Sequence, residues 1–181
     1  GAAVWVIDRD VDVLRRLWGQ FGPALNTVYS TRDSIDRHLR DADLVIGGVL
    51  IPGAEAPKLI TREHMREMKS GSVIVDVAID QGGCAETSRP TTHDEPVYVI
   101  DDVSHYCVAN MPGGVPKTSA HALNNATLPF VLALADRGWK DAMRADPNLR
   151  NGLNIWDGRV TCEPVAKALG HDYTPAESAL K

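Results

Sequence analysis

The stretch 71–90 joins an apolar, β-branched run at residues 73–75 to a dense set of polar groups. Such a run is typical of a parallel strand that is buried on both faces. The groups that follow it are carboxylates, a glycine pair and a guanidinium: Asp76, Asp80, Gly82, Gly83, Glu86 and Arg89. Ligands bind at the carboxyl ends of such strands in open α/β sheets, which makes this loop a candidate site. An ordinary turn with acidic side chains in water is the alternative, and these residues alone do not separate the two.

Length and charge exclude several classes of protein. The 181 residues allow one domain with a sizeable core, or a domain with an appendage. A formal net charge of -5 argues against a nucleic-acid or anionic-membrane surface. Without a transmembrane-length apolar run or a leader, the sequence predicts a soluble, cytoplasmic protein. Its three cysteines, Cys84, Cys107 and Cys162, are far apart, which indicates free thiols.

Apolar runs and helical periodicity alternate along the first part of the chain. Strands are predicted at residues 3–7, 26–30, 43–48, 73–77, 97–101 and 105–108. Helices are predicted between them at residues 10–21, after a cap at Thr31 or Asp33, and from Thr61 to Met68. This alternation predicts an α/β fold with a doubly wound parallel sheet.

From Thr118 the pattern becomes helical. Pro129 is expected to bend or interrupt the first helix, and another begins near Trp139. A hairpin around residues 157–158 and a helix stopped by Gly170 follow, and the tail is expected to be loose.

Asp8, at the end of the first predicted strand, has a functional interpretation. In a dinucleotide fold, an acid at the end of the second strand binds the adenosine ribose hydroxyls and repels a 2'-phosphate, so it favours NAD over NADP. Such an acid follows a G-x-G-x-x-G turn by about 20 residues, and this sequence has no such turn. We therefore expect the chain to be part of a longer protein. Taken alone, an acid at this position is more often a turn or cap residue than a ribose ligand.

Three long stretches resemble alanine dehydrogenases: DLVIGGVLIPGAEAPKLIT, SVIVDVAIDQGGCAETSRPTTH and HYCVANMPGGVPKTSAHALNNATLPFVLALADRGW. The resemblance is colinear from Asp8 to the C-terminal tail. It is weaker to the NAD-binding part of proton-translocating transhydrogenases and to saccharopine dehydrogenases. It implies a Rossmann-like NAD-binding domain without its first βα unit, at residues 1–118. Residues 119–181 would then complete the substrate domain.

The resemblance also implies roles for individual residues. Asp80 matches the family's essential active-site carboxylate and also a cofactor contact. The other positions that match cofactor contacts are Asp8, Ser30, Val49, Leu50, Val77, Ala78, Ile79, Arg89, Val108, Ala109, Asn110 and Met111.

Several of these residues have a structural alternative. Ser30 could cap a helix, Arg89 could brace its loop through Glu86, and Asn110 could form a turn. Cys84 has no evident base as a partner and is assigned to packing. All six histidines are expected to be structural or to face solvent.

The sequence also departs from the family pattern. The cation that often follows the ribose acid by five positions is replaced by Val13, so Arg9 or Arg15 would have to substitute for it. The position of a magnesium-binding histidine in some members is Arg137, so no metal site is expected. The family's catalytic His, its substrate-binding Lys and Arg, and its Gly-rich loop have no counterpart in this sequence.

The activity implied is the reversible, NAD-dependent oxidation of L-alanine to pyruvate and ammonium by a homo-oligomer. Residues 1–181 alone are expected to bind NAD weakly and to be inactive. One alternative is the NAD-binding segment of a proton-translocating transhydrogenase alpha subunit. The other is a non-catalytic binding or assembly module.

Overall fold

The computed structural model describes residues 1–51 and 55–181, which form two compact units. The first unit consists of Gly1–Val49 and Ala56–Ala109. The second consists of residues 50, 51 and 55 together with Asn110–Lys181.

The first unit opens with a parallel βαβ element. Strands β1 (Trp5–Asp8) and β2 (Asn26–Tyr29) pair in parallel, with Asp8 opposite Tyr29. Helix α1 (Val11–Phe21) connects them. It begins where the Asp10 carboxylate accepts the N–H groups of residues 12 and 13, and it ends at Gly22, whose φ of 55° the absent side chain permits. The predicted strand–helix–strand order is confirmed here.

Helix α2 (Arg32–Asp41) starts at Thr31, one of the two predicted caps. Thr31 Oγ1 accepts the N–H of Ser34 at 3.0 Å, and Ser34 Oγ accepts the N–H of Thr31 at 2.8 Å. This reciprocal pair satisfies two donors at the helix start. Ser30 is therefore not the cap, which removes the structural alternative that we considered for it.

A second sheet of four strands forms the rest of the first unit. Its strands are β3 (Leu44–Gly47), β4 (Val73–Asp76), β5 (Val97–Ile100) and β6 (Val103–Tyr106), in the spatial order β3-β4-β6-β5. Helix α3 (Arg62–Glu67) lies between β3 and β4 in the sequence. The pairs β3–β4 and β4–β6 are parallel, as predicted.

Strand β5 departs from the predicted parallel arrangement, because it pairs antiparallel with β6. Only Asp101 and Asp102 separate the two strands, and both have positive φ values of 49° and 61°. A two-residue link with this geometry makes a hairpin, whereas a parallel pair needs a long crossover. β5 is thus an antiparallel edge strand on a parallel sheet.

The main core of the first unit lies between its helices and the second sheet. Met65, Ile74 and Val103 are fully buried there and pack with the nearly buried Leu39 and Ile60. Burial of a side chain of this size stabilises the fold by about 1.5–3 kcal/mol. This cluster places α2 and α3 beside β4, the strand that leads into the loop rich in polar groups.

The second unit is dominated by helix α4 (Pro116–Ala145). Its backbone leaves helical geometry at Gly138, with φ of 72° and ψ of 158°, while Pro129 lies inside the helix. The interruption considered at Pro129 is therefore absent, and the backbone breaks instead at Gly138, just before Trp139, where a second helix was expected; a glycine tolerates the positive φ.

Shorter elements complete the second unit: α5 (Pro147–Asn151), β7 (Ile155–Trp156), β8 (Arg159–Val160) and α6 (Glu163–Leu169). The predicted hairpin at residues 157–158 and the stop at Gly170 are confirmed. The tail is not loose as expected, because Ala179 and Leu180 are buried and Arg144 Nε donates to Leu180 O at 3.1 Å. Among the described residues, none of the helices combines the length and apolar character of a membrane span.

Candidate functional site

Asp8 and Ser30 lie side by side at the carboxyl ends of β1 and β2. The N–H of Ser30 donates to Asp8 O at 2.9 Å, continuing the parallel ladder by one residue. One oxygen of the half-buried Asp8 side chain accepts the N–H of Asp10 at 2.8 Å. Because the cap of α1 is Asp10, Asp8 is free of that task. Its carboxylate at a strand end is suited to accept hydrogen bonds from a diol.

A cleft of about 290 Å³ opens beside Ser30 within the first unit. Three of its lining residues are basic and come from separate segments: Arg9, Arg32 and Lys58. Its other lining residues are Thr31, Ile35, Asp36, Leu59, Thr61 and His64. Arg15, by contrast, pairs with Asp12 at 3.2 Å on the exposed face of α1 and does not line this cleft. Of the two cations considered as substitutes for the one lost at Val13, Arg9 is therefore the better placed.

The chain leaves β4 in a short 3-10 helix, residues 77–81, which carries four of the predicted site residues. Ala78 and Ile79 are buried, with 5% and 4% of their surface exposed, and so anchor the helix. Val77 is half-exposed and Asp80 is exposed. The two buried side chains therefore hold the helix backbone in place, while the Asp80 carboxylate faces solvent.

The loop beyond this helix folds around the side chain of Asp76, which is fully buried. One carboxylate oxygen accepts the N–H of Ala78 at 3.1 Å. The other accepts the N–H groups of Cys84 and Ala85 at 2.8 and 3.3 Å and the hydroxyl of Ser88 at 2.5 Å. The carboxylate thereby ties residues separated by up to 12 positions to the end of β4.

Lys58 binds backbone carbonyl groups of the same loop. Its ammonium group donates to Gly82 O and, at 2.8 Å, to Gly83 O. Since Lys58 also lines the cleft beside Ser30, it connects that cleft to the loop that follows β4. This role of Lys58 has no local signal in the sequence, because its partners are backbone carbonyls 24 and 25 residues away.

Arg89 is held on an aromatic support. Its guanidinium lies 4.1 Å from the centre of the Tyr98 ring, and the backbone N–H of Arg89 donates to the Tyr98 hydroxyl at 2.9 Å. No ion pair of the described residues joins it to Glu86, whose carboxylate accepts the backbone N–H of Arg62 instead. The brace through Glu86 that we considered for Arg89 is therefore wrong. The exposed guanidinium remains available to an anionic or polar ligand.

The remaining predicted contacts are divided between the two units. Val49, Val108 and Ala109 belong to the first unit, where Val108 is buried and Val49 packs on the core. Leu50, Asn110 and Met111 belong to the second unit. Asn110 precedes a 3-10 helix, Met111–Gly114, and its carbonyl accepts the N–H of Gly113 at 3.0 Å. The backbone of Asn110 thus forms a turn, as the structural alternative held.

Cys84 has the properties of a packing residue. It is 2% exposed and belongs to the core cluster. Burial, followed by the adjacent Asp76 carboxylate, raises the pKa of its thiol to about 12. The thiol therefore stays protonated and is a poor nucleophile at neutral pH.

Two histidines are buried in structural positions. His64 Nδ1 accepts the N–H of Thr61 at 3.0 Å, which leaves Nε2 to donate to Asp36 at 2.7 Å. His105 Nδ1 donates to Val103 O at 3.0 Å, so Nε2 accepts the hydroxyl of Thr87 at 2.8 Å. The His105 ring also stacks on Tyr98 at 4.9 Å between centres. In residues 1–51 and 55–181, no group of three or more His, Cys, Asp or Glu side chains could hold a metal ion.

A family model and curated relatives match the sequence of this chain. The model of the family described as alanine dehydrogenase/PNT, C-terminal domain, matches residues 1–163. An alanine dehydrogenase of Halomonas elongata is 55% identical over 180 residues, which are 99% of this chain and 48% of that protein. The chain thus spans about half the length of the curated relatives it matches.

Solved structures agree with this match. An L-alanine dehydrogenase superposes with a TM-score of 0.82 at 45% identity, covering 94% of this chain and 47% of that one. A transhydrogenase from Sinorhizobium meliloti superposes with a TM-score of 0.58 at 27% identity, covering 66% of this chain and 35% of that one. These matches confirm the Rossmann-like α/β fold, and the chain belongs to the alanine dehydrogenase/PNT C-terminal domain family.

Proposed function

We propose that this chain carries the NAD site of an enzyme that oxidises L-alanine. The reaction consumes L-alanine, NAD and water and yields pyruvate, ammonium, NADH and a proton. The observation that carries the proposal is the position of Asp8, Ser30 and Asp80, each at or just beyond the carboxyl end of a parallel strand. The family match over residues 1–163 supports NAD as the cofactor.

The residues of the first unit fit a dinucleotide. Asp8 supplies an acceptor for the hydroxyls of the adenosine ribose, and the neighbouring Ser30 and Arg9 supply polar and cationic contacts. Residues 77–80 would lie against the nicotinamide ribose, and Arg89 would contact the cofactor through its exposed guanidinium. The contacts proposed for Val49, Leu50, Val108, Ala109, Asn110 and Met111 rest on the family resemblance.

Asp80 is the residue to which we assign a part in catalysis. When bound, NAD supplies the acceptor for the hydride that leaves the alanine α carbon. An exposed carboxylate at this place can hold a hydroxyl group, orient the attacking water and stabilise the positive charge that develops on the substrate nitrogen. Two of its neighbours, Ala78 and Ile79, are anchored in the core, so the carboxylate is presented without prior reorganisation.

We further propose a cytoplasmic homo-oligomer in which residues 119–181 complete the substrate domain. L-alanine, pyruvate and ammonium would be its small-molecule partners. Residues 1–181 alone are expected to bind NAD weakly and to be inactive. In dinucleotide folds a Gly-rich turn and a helix N-terminus supply donors to the pyrophosphate, and the sequence of residues 1–181 contains no such Gly-rich turn.

The similarity to the Sinorhizobium meliloti transhydrogenase favours one other function. As part of a transhydrogenase, the chain would bind NAD in the same place but pass hydride to a second nicotinamide nucleotide. Alanine would then have no effect on the rate. The lower TM-score, 0.58 against 0.82, makes this the second candidate.

Initial rates of the complete polypeptide test the two functions together. Formation of NADH should require both NAD and L-alanine, and NADP should not replace NAD. Asp80→Asn should lower kcat by about 10²-fold or more, while the exposed Asp94→Asn serves as the control for loss of one carboxylate. Transfer of hydride between two nicotinamide nucleotides without alanine would overturn the proposal.

A further inference from the structure

We propose that Asp76 is the positioning residue for Asp80: its buried carboxylate fixes the backbone of residues 77–88. The inference rests on the proposed function of Asp80. It adds a residue that touches neither alanine nor NAD and acts only through the loop.

The burial of Asp76 requires an explanation, because its side chain is fully enclosed. No ion pair of the described residues includes it. Burying an ionised carboxylate without a cation is costly unless hydrogen bonds replace its hydration. Four donors do so here, three backbone N–H groups and one hydroxyl, at 2.5 to 3.3 Å.

All four donors belong to the one loop that carries Asp80. They come from residues 2, 8, 9 and 12 positions after Asp76, so the carboxylate closes the loop on itself. The bond to Ala78 also caps the 3-10 helix that contains Asp80. At the other end of this helix, the N–H groups of Gly82 and Gly83 return to Ile79 O and Ala78 O. The backbone around Asp80 is therefore bonded on both sides.

Gly83 and Gly47 lie close to this carboxylate, and an added Cβ would be closer still to Ser88 Cβ at Gly83 and to Cys84 Sγ at Gly47. A Cβ on Gly83 would lie 2.8 Å from Asp76 Oδ2, and a Cβ on Gly47 would lie 3.3 Å from Oδ1. A longer acid at position 76 would have to displace strand β3 or the loop. The space around the carboxylate therefore fits the size of aspartate.

The test compares the complete polypeptide with three variants. Asp76→Asn keeps the shape but turns one oxygen into a donor that faces other donors. Ser88→Ala removes a single donor and keeps the charge, and Asp94→Asn changes an exposed carboxylate elsewhere. The readouts are kcat and KM for alanine-dependent NADH formation, and amide hydrogen exchange of residues 77–88 and of α1.

For Asp76→Asn we expect faster exchange in residues 77–88 with unchanged exchange in α1. We also expect a fall in kcat of about 10²-fold that saturating alanine and NAD do not restore. Ser88→Ala should show the same pattern with a smaller fall, and Asp94→Asn should match the unaltered protein. Should Asp76→Asn fail to fold, the exchange of Ser88→Ala decides the question.

Unchanged exchange in residues 77–88, an equal rise in α1, or an unchanged kcat in a variant with a loosened loop would each overturn the inference. Absence of alanine-dependent activity in the unaltered protein would reject the proposed function instead. The exchange data would then still decide whether Asp76 fixes the loop.

Discussion

Asp8 carries a negative charge, whereas two residues that line the nearby cleft carry positive charges. Its carboxylate ends β1, while Arg9 and Arg32 line the cleft next to Ser30. Two guanidinium groups are suited to hold a phosphate, whereas a carboxylate repels one. At this place, Asp8 is therefore the residue that we expect to discriminate against a 2'-phosphate.

Removal of this carboxylate should relax cofactor selectivity. We expect Asp8→Ser in the complete polypeptide to raise kcat/KM for NADP by about tenfold, the equivalent of roughly 1.4 kcal/mol, and to lower it for NAD. Asp12→Ser, on the exposed face of α1, is the control and should leave both values unchanged. An unaltered preference for NAD in Asp8→Ser would show that another group excludes NADP.

At the level of the secondary-structure elements, the loop that follows β4 is crowded around Gly83. Gly83 has a φ of 78°, and a Cβ there would lie 2.7 Å from Ser88 Cβ. Gly19, inside α1, has nothing within 4 Å of an added Cβ. The two glycines thus allow one substitution to be compared in a crowded loop and in an open helix.

The two alanine variants should change stability in opposite directions. Gly83→Ala should lower the free energy of unfolding by roughly 2–4 kcal/mol, since it adds both backbone strain and overlap. Gly19→Ala should raise it by roughly 0.5–1 kcal/mol through helix propensity. Denaturant unfolding of both variants measures the difference. Equal effects of the two substitutions would contradict the geometry of the loop.

His105 on β6 makes the stability of its strand dependent on pH. Burial lowers the pKa of its imidazole below the ordinary value of 6.5, and the Val103 carbonyl opposes this shift. Because the unfolded chain binds the proton more readily, the contribution to stability is complete above pH 6.5 and is lost as the pH falls through the folded pKa.

The midpoint temperature of unfolding should therefore decrease when the pH is lowered from 7.5 to 5.5. The decrease should be smaller in His105→Gln. Glutamine keeps one donor and one acceptor but cannot titrate. Thermal unfolding of the two proteins at both pH values checks this expectation. An identical pH dependence would show that other groups are responsible.

Elements that depend on interactions between residues close in the sequence were predicted correctly, and elements that depend on other features were not. Helix α1 was predicted within one residue, because Asp10, Gly22 and the apolar spacing act locally. The direction of β5 was not predicted correctly, because it depends on positive φ values at Asp101 and Asp102, and few non-glycine residues adopt such values. In α4 the backbone stays helical at Pro129, where an interruption was expected, and breaks at Gly138, next to Trp139, where a further helix was expected to begin.

The same distinction applies to the candidate site. Asp8 and Asp80 could be proposed from a strand end and a family resemblance. Most of the supporting contacts of Asp76, Lys58 and Tyr98 could not, because they join groups that lie 8 to 25 residues apart in the sequence. Periodicity and local motifs do not encode such pairs.

For the whole molecule, the two sheets of the first unit have exposed apolar edges. Among the described strands, β1 pairs only with β2 and β3 only with β4. Leu44 and Ile46 on β3 are 56% and 65% exposed, and Trp5 on β1 is 51% exposed. Unpaired strands with apolar side chains promote association between chains.

Residues 1–181 alone should therefore self-associate as their concentration rises. Ile46→Lys should weaken this association, because a charge on an edge strand opposes pairing. Leu169→Lys, at an exposed position at the end of α6, is the matched control. Sedimentation velocity over a range of concentrations measures the effect, and a monodisperse monomer throughout would contradict it.

Transfer of deuterium from L-alanine labelled at its α carbon tests the central claim most directly. The complete polypeptide is incubated with NAD and the labelled alanine, and the nicotinamide product is analysed by mass spectrometry. We predict NADH that carries one deuterium on the nicotinamide ring, together with unlabelled pyruvate. Unlabelled NADH, or no alanine-dependent NADH from a folded protein, would contradict the assignment of this chain to an alanine-oxidising enzyme.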